Sequence, residues 1–265
     1  MVKNISIFWF RQDLRLSDNP GFIAACQAGY VLPVFILDEE NPADWSMGSA
    51  GKFWLHHSLS SLNKMLNGKL RFLKGNPHNL LESMAKKIKA SSIFWNRCYE
   101  PWRISRDSMI KLKLKDSGYI VESFNGSLLW EPWEIVKSDK TPYKVFTPYY
   151  RKGCLNARLP RTPQPVPNIK LLENDEFSSN NLSSLNLLPN VNWGDGILES
   201  WKIGELAANE RLKIFLNNGL IDYKEGRNFP NKNNVSRLSP YLHWGEISIN
   251  TVWYSAKARA ELSDI

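Results

Sequence analysis

The sequence predicts an α/β fold with a Rossmann-like, doubly wound sheet of five parallel strands, followed by a linker and a helical segment. Over residues 1–130, apolar runs rich in β-forming residues alternate with intervals long enough to hold a helix. These runs are continuous, as in strands that are buried on both faces of a parallel sheet. The predicted strands are Ile5–Phe10, Val31–Leu37, Leu70–Leu73, Ser92–Trp95 and Tyr119–Phe124.

Helix signals fall in the intervals between these strands. Asp18–Pro20 and Asn76–Pro77 each place a capping side chain before a proline, which favours the first turn of a helix. Ser105 predicts the start of a further helix, and Gly118 predicts its end. Each helix therefore connects two strands as a βαβ unit.

The composition changes beyond residue 130 and predicts three parts: a domain at 1–130, a linker at 131–200 and a helical segment at 201–265. Arg158–Lys170 carries four prolines, and Glu173–Asn190 is rich in Asn and Ser, as expected of a long interdomain connection. Ile203–Tyr223 has helical periodicity, and a second helix is predicted from Gly245 or Glu246 onward.

Charge and hydropathy limit the function classes. The chain has 265 residues and a net charge of +8, which fits a polyanionic partner. It has no apolar run of about 18 residues, and its amino terminus lacks the features of a secretory signal, so we expect a cytoplasmic protein with no membrane partner.

The sequence lacks the motifs of several common metal and nucleotide sites. The three cysteines, Cys26, Cys98 and Cys154, are far apart and have no histidine at ligand spacing, so we expect reduced thiols and no metal. Neither G-x-G-x-x-G nor the P-loop pattern occurs, which argues against an ordinary dinucleotide or nucleoside triphosphate site. With no triad or paired carboxylates, we predict no catalytic side chain.

Two charged loops follow strands one and four. The carboxyl ends of parallel strands meet at one edge of the sheet, where ligand crevices form. These loops therefore predict a pocket at that edge. Two alternatives stay open: a solvated loop whose charges pair with one another, and a brace against the helical segment. The candidate pocket residues are Arg11, Asp13, Arg15, Arg97, Tyr99 and Glu100.

Three stretches resemble successive signatures of the DNA photolyase and cryptochrome family. They are FWFRQDLRLSDNP (Phe8–Pro20), TPYKVFTPYYR (Thr141–Arg151) and YKEGRNFPNKNNVSRLSPYLHWGEIS (Tyr223–Ser248). The resemblance implies an α/β domain that holds an antenna chromophore, and the start of an all-α domain that binds FAD. It implies light-driven repair of cyclobutane pyrimidine dimers in DNA by electron transfer from reduced FAD.

The same resemblance assigns roles to residues in the helical segment. Arg227 resembles an arginine that contacts DNA phosphate. The residues that resemble the flavin phosphate site are Tyr223, Val235, Ser236, Arg237, Leu238 and Ser239. The antenna chromophore is left open between a folate, a deazaflavin and a flavin. Arg103 stands where folate-binding relatives are expected to carry a carboxylate, which weakens the folate option.

Two other functions remain beside photorepair. A cryptochrome-type blue-light signalling flavoprotein fits the same residues. A stand-alone nucleotide-binding α/β protein of the stress-protein type is disfavoured by Tyr223–Ser248. Compared with the family the chain is short, so we expect it to be an inactive fragment alone, with little or no FAD. Its expected partners are DNA containing pyrimidine dimers and a complementary carboxyl-terminal fragment.

Overall fold

A computed structural model describes residues 4–40, 45–173 and 181–262. The five strands form one sheet in the order β3-β2-β1-β4-β5, and every neighbouring pair is parallel. The strand order reverses direction at β1, which is the arrangement of a doubly wound sheet. This confirms the predicted fold class. The strands are β1 Ile5–Phe10, β2 Tyr30–Leu37, β3 Arg71–Lys74, β4 Ser92–Asn96 and β5 Ile120–Phe124.

Helices cover both faces of the sheet. Because side chains alternate along a strand, Phe8 and Phe10 pack into one apolar core, whereas Ile7 and Trp9 pack into the other. The connecting helices are α1 Pro20–Ala28, α2 Ser49–Met65, α3 Pro77–Ile88 and α4 Pro101–Asp116. Helices α1 and α2 pack into the first core, and α3 and α4 into the second.

Beyond β5, the described residues contain short helical turns in the linker and five later helices. The linker has α5 Phe146–Pro148, a π-helix Tyr149–Gly153 and 3₁₀ turns Cys154–Asn156 and Leu182–Leu185. The later helices are α6 Asp195–Ser200, α7 Glu205–Asn218, α8 Tyr223–Gly226, α9 Ser239–His243 and α10 Ile249–Glu261. None of the helices in the described residues is long and apolar enough to cross a membrane.

Two helix starts differ from the prediction. Helix α4 begins at Pro101 rather than at Ser105, because the fixed φ angle of proline suits the first helical position. Helix α10 begins at Ile249 rather than near Gly245, because the Ser248 hydroxyl caps it by accepting a hydrogen bond from the Thr251 N–H at 3.1 Å.

The linker and the helical segment both pack on the α/β part. The Val31 N–H donates to the Lys170 carbonyl at 2.8 Å, which holds the proline-rich stretch beside β2. Buried Leu212 and Tyr241 share the apolar core of α1 and α2. This packing does not locate boundaries between the parts, so the division into 1–130, 131–200 and 201–265 stays a prediction. The part of the predicted Asn- and Ser-rich stretch at 174–180 lies outside the described residues.

Candidate functional site

A cleft lies at the carboxyl ends of β1 and β2. Its enclosed part has a volume of about 140 Å³, and its open part, toward α4 and α9, has about 580 Å³. The walls common to both parts are Gln12, Trp45, Met47, Trp102, Arg103 and Trp244. The enclosed part is lined further by Trp9, Arg11 and Arg106. The crevice thus lies at the carboxyl edge of the sheet.

Indole rings and guanidinium groups alternate along the enclosed wall. The Arg11 and Arg106 guanidinium carbons lie 4.8 and 5.1 Å from the Trp9 ring centroid. Arg106 also lies 5.0 Å from the Trp102 ring, and Arg103 lies 4.9 Å from it. Such a wall suits a planar, electron-rich ligand, because it presents both stacking surfaces and hydrogen-bond donors.

Two side chains at the floor of the cleft have donors without acceptors. Trp9 is 1% exposed and its indole N–H has no partner, and Arg11 is 6% exposed with Nε and Nη2 both unpartnered. A buried donor left unsatisfied costs about 1–3 kcal/mol. A ligand rich in oxygen or nitrogen acceptors therefore fits this floor.

Of the predicted pocket residues, Arg11 and Glu100 line the cleft. Arg11 also forms a buried ion pair with Asp107. Glu100 belongs to the open part, and its carboxylate lies 3.6 Å from Arg103 Nε. The sequence reasoning missed Trp9, Trp102 and Arg106 as wall residues. The signal that could have identified Trp102 and Arg106 is Pro101, which starts α4 directly at the sheet edge and places its first turns over the cleft.

Arg97 and Tyr99 converge on Glu131 instead. Arg97 Nε donates to Glu131 Oε1 at 2.6 Å, and the Tyr99 hydroxyl donates to the same oxygen at 2.7 Å. Burial, together with the Glu131 carboxylate, raises the pKa of Tyr99. Both side chains line a separate cavity beside β5, not the cleft.

Asp13 and Arg15 do not line the cleft either. Asp13 is buried beneath it and accepts hydrogen bonds from the Arg11 N–H at 2.6 Å and from Asn96 Nδ2 at 2.5 Å. Burial raises the pKa of Asp13. Arg15 is 1% exposed and donates to the carbonyls of Asp18, Gly126 and Gly245. These two residues hold the loop in shape.

The same loop is fastened to the helical segment by buried carboxylates. Glu205 Oε2 accepts from the Leu16 N–H at 2.7 Å, and Glu205 Oε1 accepts from the Ser17 N–H at 3.0 Å. Asp18 pairs with Arg161 and accepts a hydrogen bond from the Ser248 hydroxyl. The charged cluster that follows β1 therefore has two parts: Arg11 faces the cleft, and the residues from Asp13 to Asp18 brace the helical segment.

Glu246 is a further buried acid that the sequence reasoning did not single out. It is fully buried against α2, where it accepts hydrogen bonds from Trp54 Nε1 at 3.2 Å and from the Ser58 hydroxyl at 2.5 Å. Burial raises the pKa of Glu246 to about 7. An acidic residue inside the otherwise apolar stretch LHWGEIS was the available signal.

The predicted flavin residues lie on one loop and one short helix. Arg237 has a left-handed φ of 53° and its guanidinium carbon lies 4.2 Å from the Trp201 ring centroid. Arg211 Nε donates to the Ser236 carbonyl at 2.8 Å, and burial and the nearby Arg237 charge lower the pKa of Arg211. The two arginines thus create a positive site beside the loop.

The other residues of this loop differ in exposure. Val235 is exposed and Leu238 is buried, while Ser239 is the first residue of α9. Tyr223 lies on α8, with the Arg227 guanidinium carbon 5.6 Å from its ring centroid. The Ser236 hydroxyl accepts a hydrogen bond from the Leu238 N–H at 3.4 Å, which leaves its own O–H free to donate. The positive charge and this donor fit a phosphate.

The thiols and carboxylates form no evident metal site. Cys26, Cys98 and Cys154 are free thiols, and burial raises the pKa of Cys26 to about 12. Within the described ranges, no group of three or more His, Cys, Asp or Glu side chains could hold a metal ion.

Comparisons with known proteins agree on one family. The family model described as DNA photolyase matches residues 6–168. The deoxyribodipyrimidine photo-lyase of Agrobacterium fabrum is 37% identical over 256 residues, which are 95% of this chain and 53% of that protein. Cryptochrome-2 of Arabidopsis thaliana is 33% identical over 266 residues, 96% of this chain and 43% of that protein.

A solved structure shows the same likeness in three dimensions. A bacterial class III photolyase from Agrobacterium tumefaciens matches with a TM-score of 0.92 and 35% identity, over 98% of this chain and 54% of that one. The chain therefore spans about half the length of the relatives it matches.

Proposed function

The chain belongs to the DNA photolyase family, and we propose that its cleft holds an antenna chromophore for light-driven repair of cyclobutane pyrimidine dimers. The observation that carries the proposal is the lining of the cleft, in which Trp9 and Arg11, whose buried side-chain donors have no partner, lie beside the indole rings of Trp45, Trp102 and Trp244. A flavin, a deazaflavin or a folate offers an aromatic system with several acceptors, which matches these walls.

The side chains of the cleft have separate tasks. Trp102 supplies a ring surface for stacking, and Arg11, which lies over the buried Trp9 ring, supplies donors to ring acceptors. Arg106 is held by Asp38 and Asp107, each at 2.8 Å, so it reaches the site already oriented. The apolar walls exclude water from the stacked ring. A chromophore bound there supplies absorbed light energy, and a bound FAD in reduced form supplies the electron that splits the dimer.

We propose the loop Val235–Ser239 and Tyr223 as the site for the flavin phosphates. Arg237 and Arg211 supply positive charge there, and Ser236 supplies a hydroxyl donor. Among the described residues, those proposed for FAD belong to its phosphate end, so FAD-dependent repair is proposed for the complete photolyase fold, and the 265-residue chain alone is proposed to be inactive. Arg227 is proposed to contact DNA phosphate.

The test is repair of a defined lesion. The chain, and the chain fused at its carboxyl end to the remaining helical residues of the Agrobacterium relative, are mixed with FAD and an oligonucleotide containing one thymine dimer. After reduction and illumination, we expect the fusion to restore intact thymines, with no repair in the dark. A fusion that binds reduced FAD but leaves the dimer intact under light would overturn the proposal.

Cryptochrome-type signalling is the second candidate, because Cryptochrome-2 of Arabidopsis thaliana is 33% identical to this chain. The two functions differ in DNA binding. A photolyase prefers dimer-containing DNA over the undamaged duplex, since a poorly stacked lesion is easier to flip out. Equal binding to both, together with light-dependent flavin reduction, would favour signalling.

A further inference from the structure

A cavity of about 260 Å³ lies between α4 and the beginning of the linker. It shares no lining residue with the chromophore cleft. Its apolar walls come from Trp95, Tyr99, Ile104 and Trp133, and its polar rim includes Arg97 and Lys111. The proposed repair function makes no use of this cavity.

A stripe of exposed side chains, two apolar residues with a serine between them, continues from the cavity along α4. Ile104, Ser108 and Leu112 are spaced four residues apart, so they share one face of the helix. Ile104 is 49% exposed and Leu112 is 61% exposed, and Trp133 at the mouth of the cavity is 60% exposed. We call this surface, formed by the cavity with Ile104, Ser108, Leu112 and Trp133, the α4 groove. An apolar pocket that continues into an apolar stripe is typical of a binding surface with one anchoring position.

The charge beside the α4 groove is positive. Lys111 lines the cavity, and Lys115 is exposed one turn further along the same side of the helix. Burial and the charges of Lys115 and Arg97 lower the pKa of Lys111, and these effects outweigh the opposing charge of Glu122. Of the nearby carboxylates, Asp107 lines the cavity but is engaged by Arg11 and Arg106, and exposed Asp116 follows Leu112 by four residues, at the end of the stripe and of the helix.

We propose that the α4 groove docks an acidic amphipathic helix of a partner protein, with one large apolar side chain of that helix in the cavity. The exposed stripe gives the partner an apolar face to bury, and Lys111 and Lys115, the lysines of α4 on the side of the groove, pair with its acidic face. A second copy of this chain fits less well, because it would bring the same positive charges of Lys111 and Lys115 to the contact from both copies. Nucleic acid would pair its phosphates with the lysines, but it would leave the apolar side chains of the stripe exposed to water.

The probe is a fluorescent synthetic peptide of about 15 residues, long enough to form a helix on binding. It carries leucines at i, i+3, i+4 and i+7 and acidic residues elsewhere, and a matched control peptide carries lysine at every acidic position. Fluorescence anisotropy should give a dissociation constant on the order of 10 μM for the acidic peptide, with at least about tenfold weaker binding of the control.

Variants locate the site. Leu112→Ser and Trp133→Ala should each weaken binding about tenfold, and Lys115→Glu should weaken it in a salt-dependent manner. The matched control is Leu206→Ser, since Leu206 is 74% exposed on α7 and lies outside the α4 groove. This variant should bind the peptide like the parent chain.

Three outcomes would overturn the proposal. The first is no binding of the acidic peptide below about 1 mM, or binding that Leu112→Ser leaves unchanged. The second is a concentration-dependent dimer in analytical ultracentrifugation that Leu112→Ser abolishes, which would identify a second copy as the occupant. The third is displacement of the peptide by duplex DNA that depends on Lys115 but not on Leu112, which would identify nucleic acid.

Discussion

Arg15 donates a hydrogen bond from Nη1 to the carbonyl oxygen of Gly245 at 2.9 Å, across 230 positions of the sequence. The same guanidinium group donates from Nη2 to the Gly126 carbonyl at 2.6 Å. One buried cation thus ties the loop after β1 to the turn that follows β5 and to the helical segment. The backbones of the two segments also contact each other directly beside Arg15, since the Leu14 N–H donates to the Trp244 carbonyl at 3.1 Å.

Arg15→Ala should therefore destabilise the fold strongly. The change leaves buried carbonyls without donors and opens space at the contact, and we expect a loss on the order of 3 kcal/mol in the free energy of unfolding. Urea denaturation measures it. The matched control is Arg151→Ala, because Arg151 is exposed and should change stability by no more than about 0.5 kcal/mol. Equal losses of unfolding free energy in Arg15→Ala and Arg151→Ala would contradict the stabilising role of Arg15.

Glu246 should make stability depend on pH near neutrality. Its pKa is raised to about 7 in the folded chain, against about 4.3 for an unperturbed glutamate, so the folded state binds the proton more tightly than the unfolded state. The resulting stabilisation is fully present below about pH 4.3, and it is lost as the pH rises to about 7. The full difference is on the order of 3 kcal/mol.

The measurement compares the parent chain with Glu246→Gln by urea denaturation at several pH values. Glutamine keeps an acceptor oxygen for Trp54, offers its NH2 group to the Ser58 hydroxyl oxygen and does not titrate, so the difference in unfolding free energy between the two proteins should change between about pH 4.5 and pH 7. Subtracting one curve from the other removes the contribution of other buried acids such as Asp13. A difference that is constant with pH would contradict the raised pKa.

Arg227→Ala should weaken binding of the fused, complete protein to damaged and undamaged DNA alike. Loss of one phosphate contact should reduce the slope of log binding constant against log salt by about one unit. Lys64→Ala, an exposed change on α2, serves as the control. If the salt slope of Arg227→Ala stays at the parent value, the stacking of Arg227 on Tyr223 is its role instead.

The fold was largely predictable because the apolar runs report burial directly. For example, the predicted run Val31–Leu37 and the observed strand Tyr30–Leu37 differ by one residue. The site was less predictable. Spacing places Arg11 and Arg15 at the same edge of the sheet, but the partners of Arg15 are backbone carbonyls at Gly126 and Gly245, which no side-chain pattern reveals. Glu246 was missed for a similar reason, since its donors Trp54 and Ser58 lie on α2.

The central claim is that the cleft binds an antenna chromophore, and titration of the purified chain tests it most directly. The chain is mixed in turn with a methenylated folate, FMN and a deazaflavin, and the absorption spectrum and tryptophan fluorescence are recorded before and after dialysis. We predict that one of these compounds binds in a 1:1 ratio, survives dialysis and quenches fluorescence.

We further predict that Trp102→Ala weakens the binding at least about tenfold, because it removes a stacking wall, whereas Trp193→Ala, outside the cleft, leaves it unchanged. Failure of all three compounds to bind below about 1 mM, or binding that persists unaltered in Trp102→Ala, would contradict the claim.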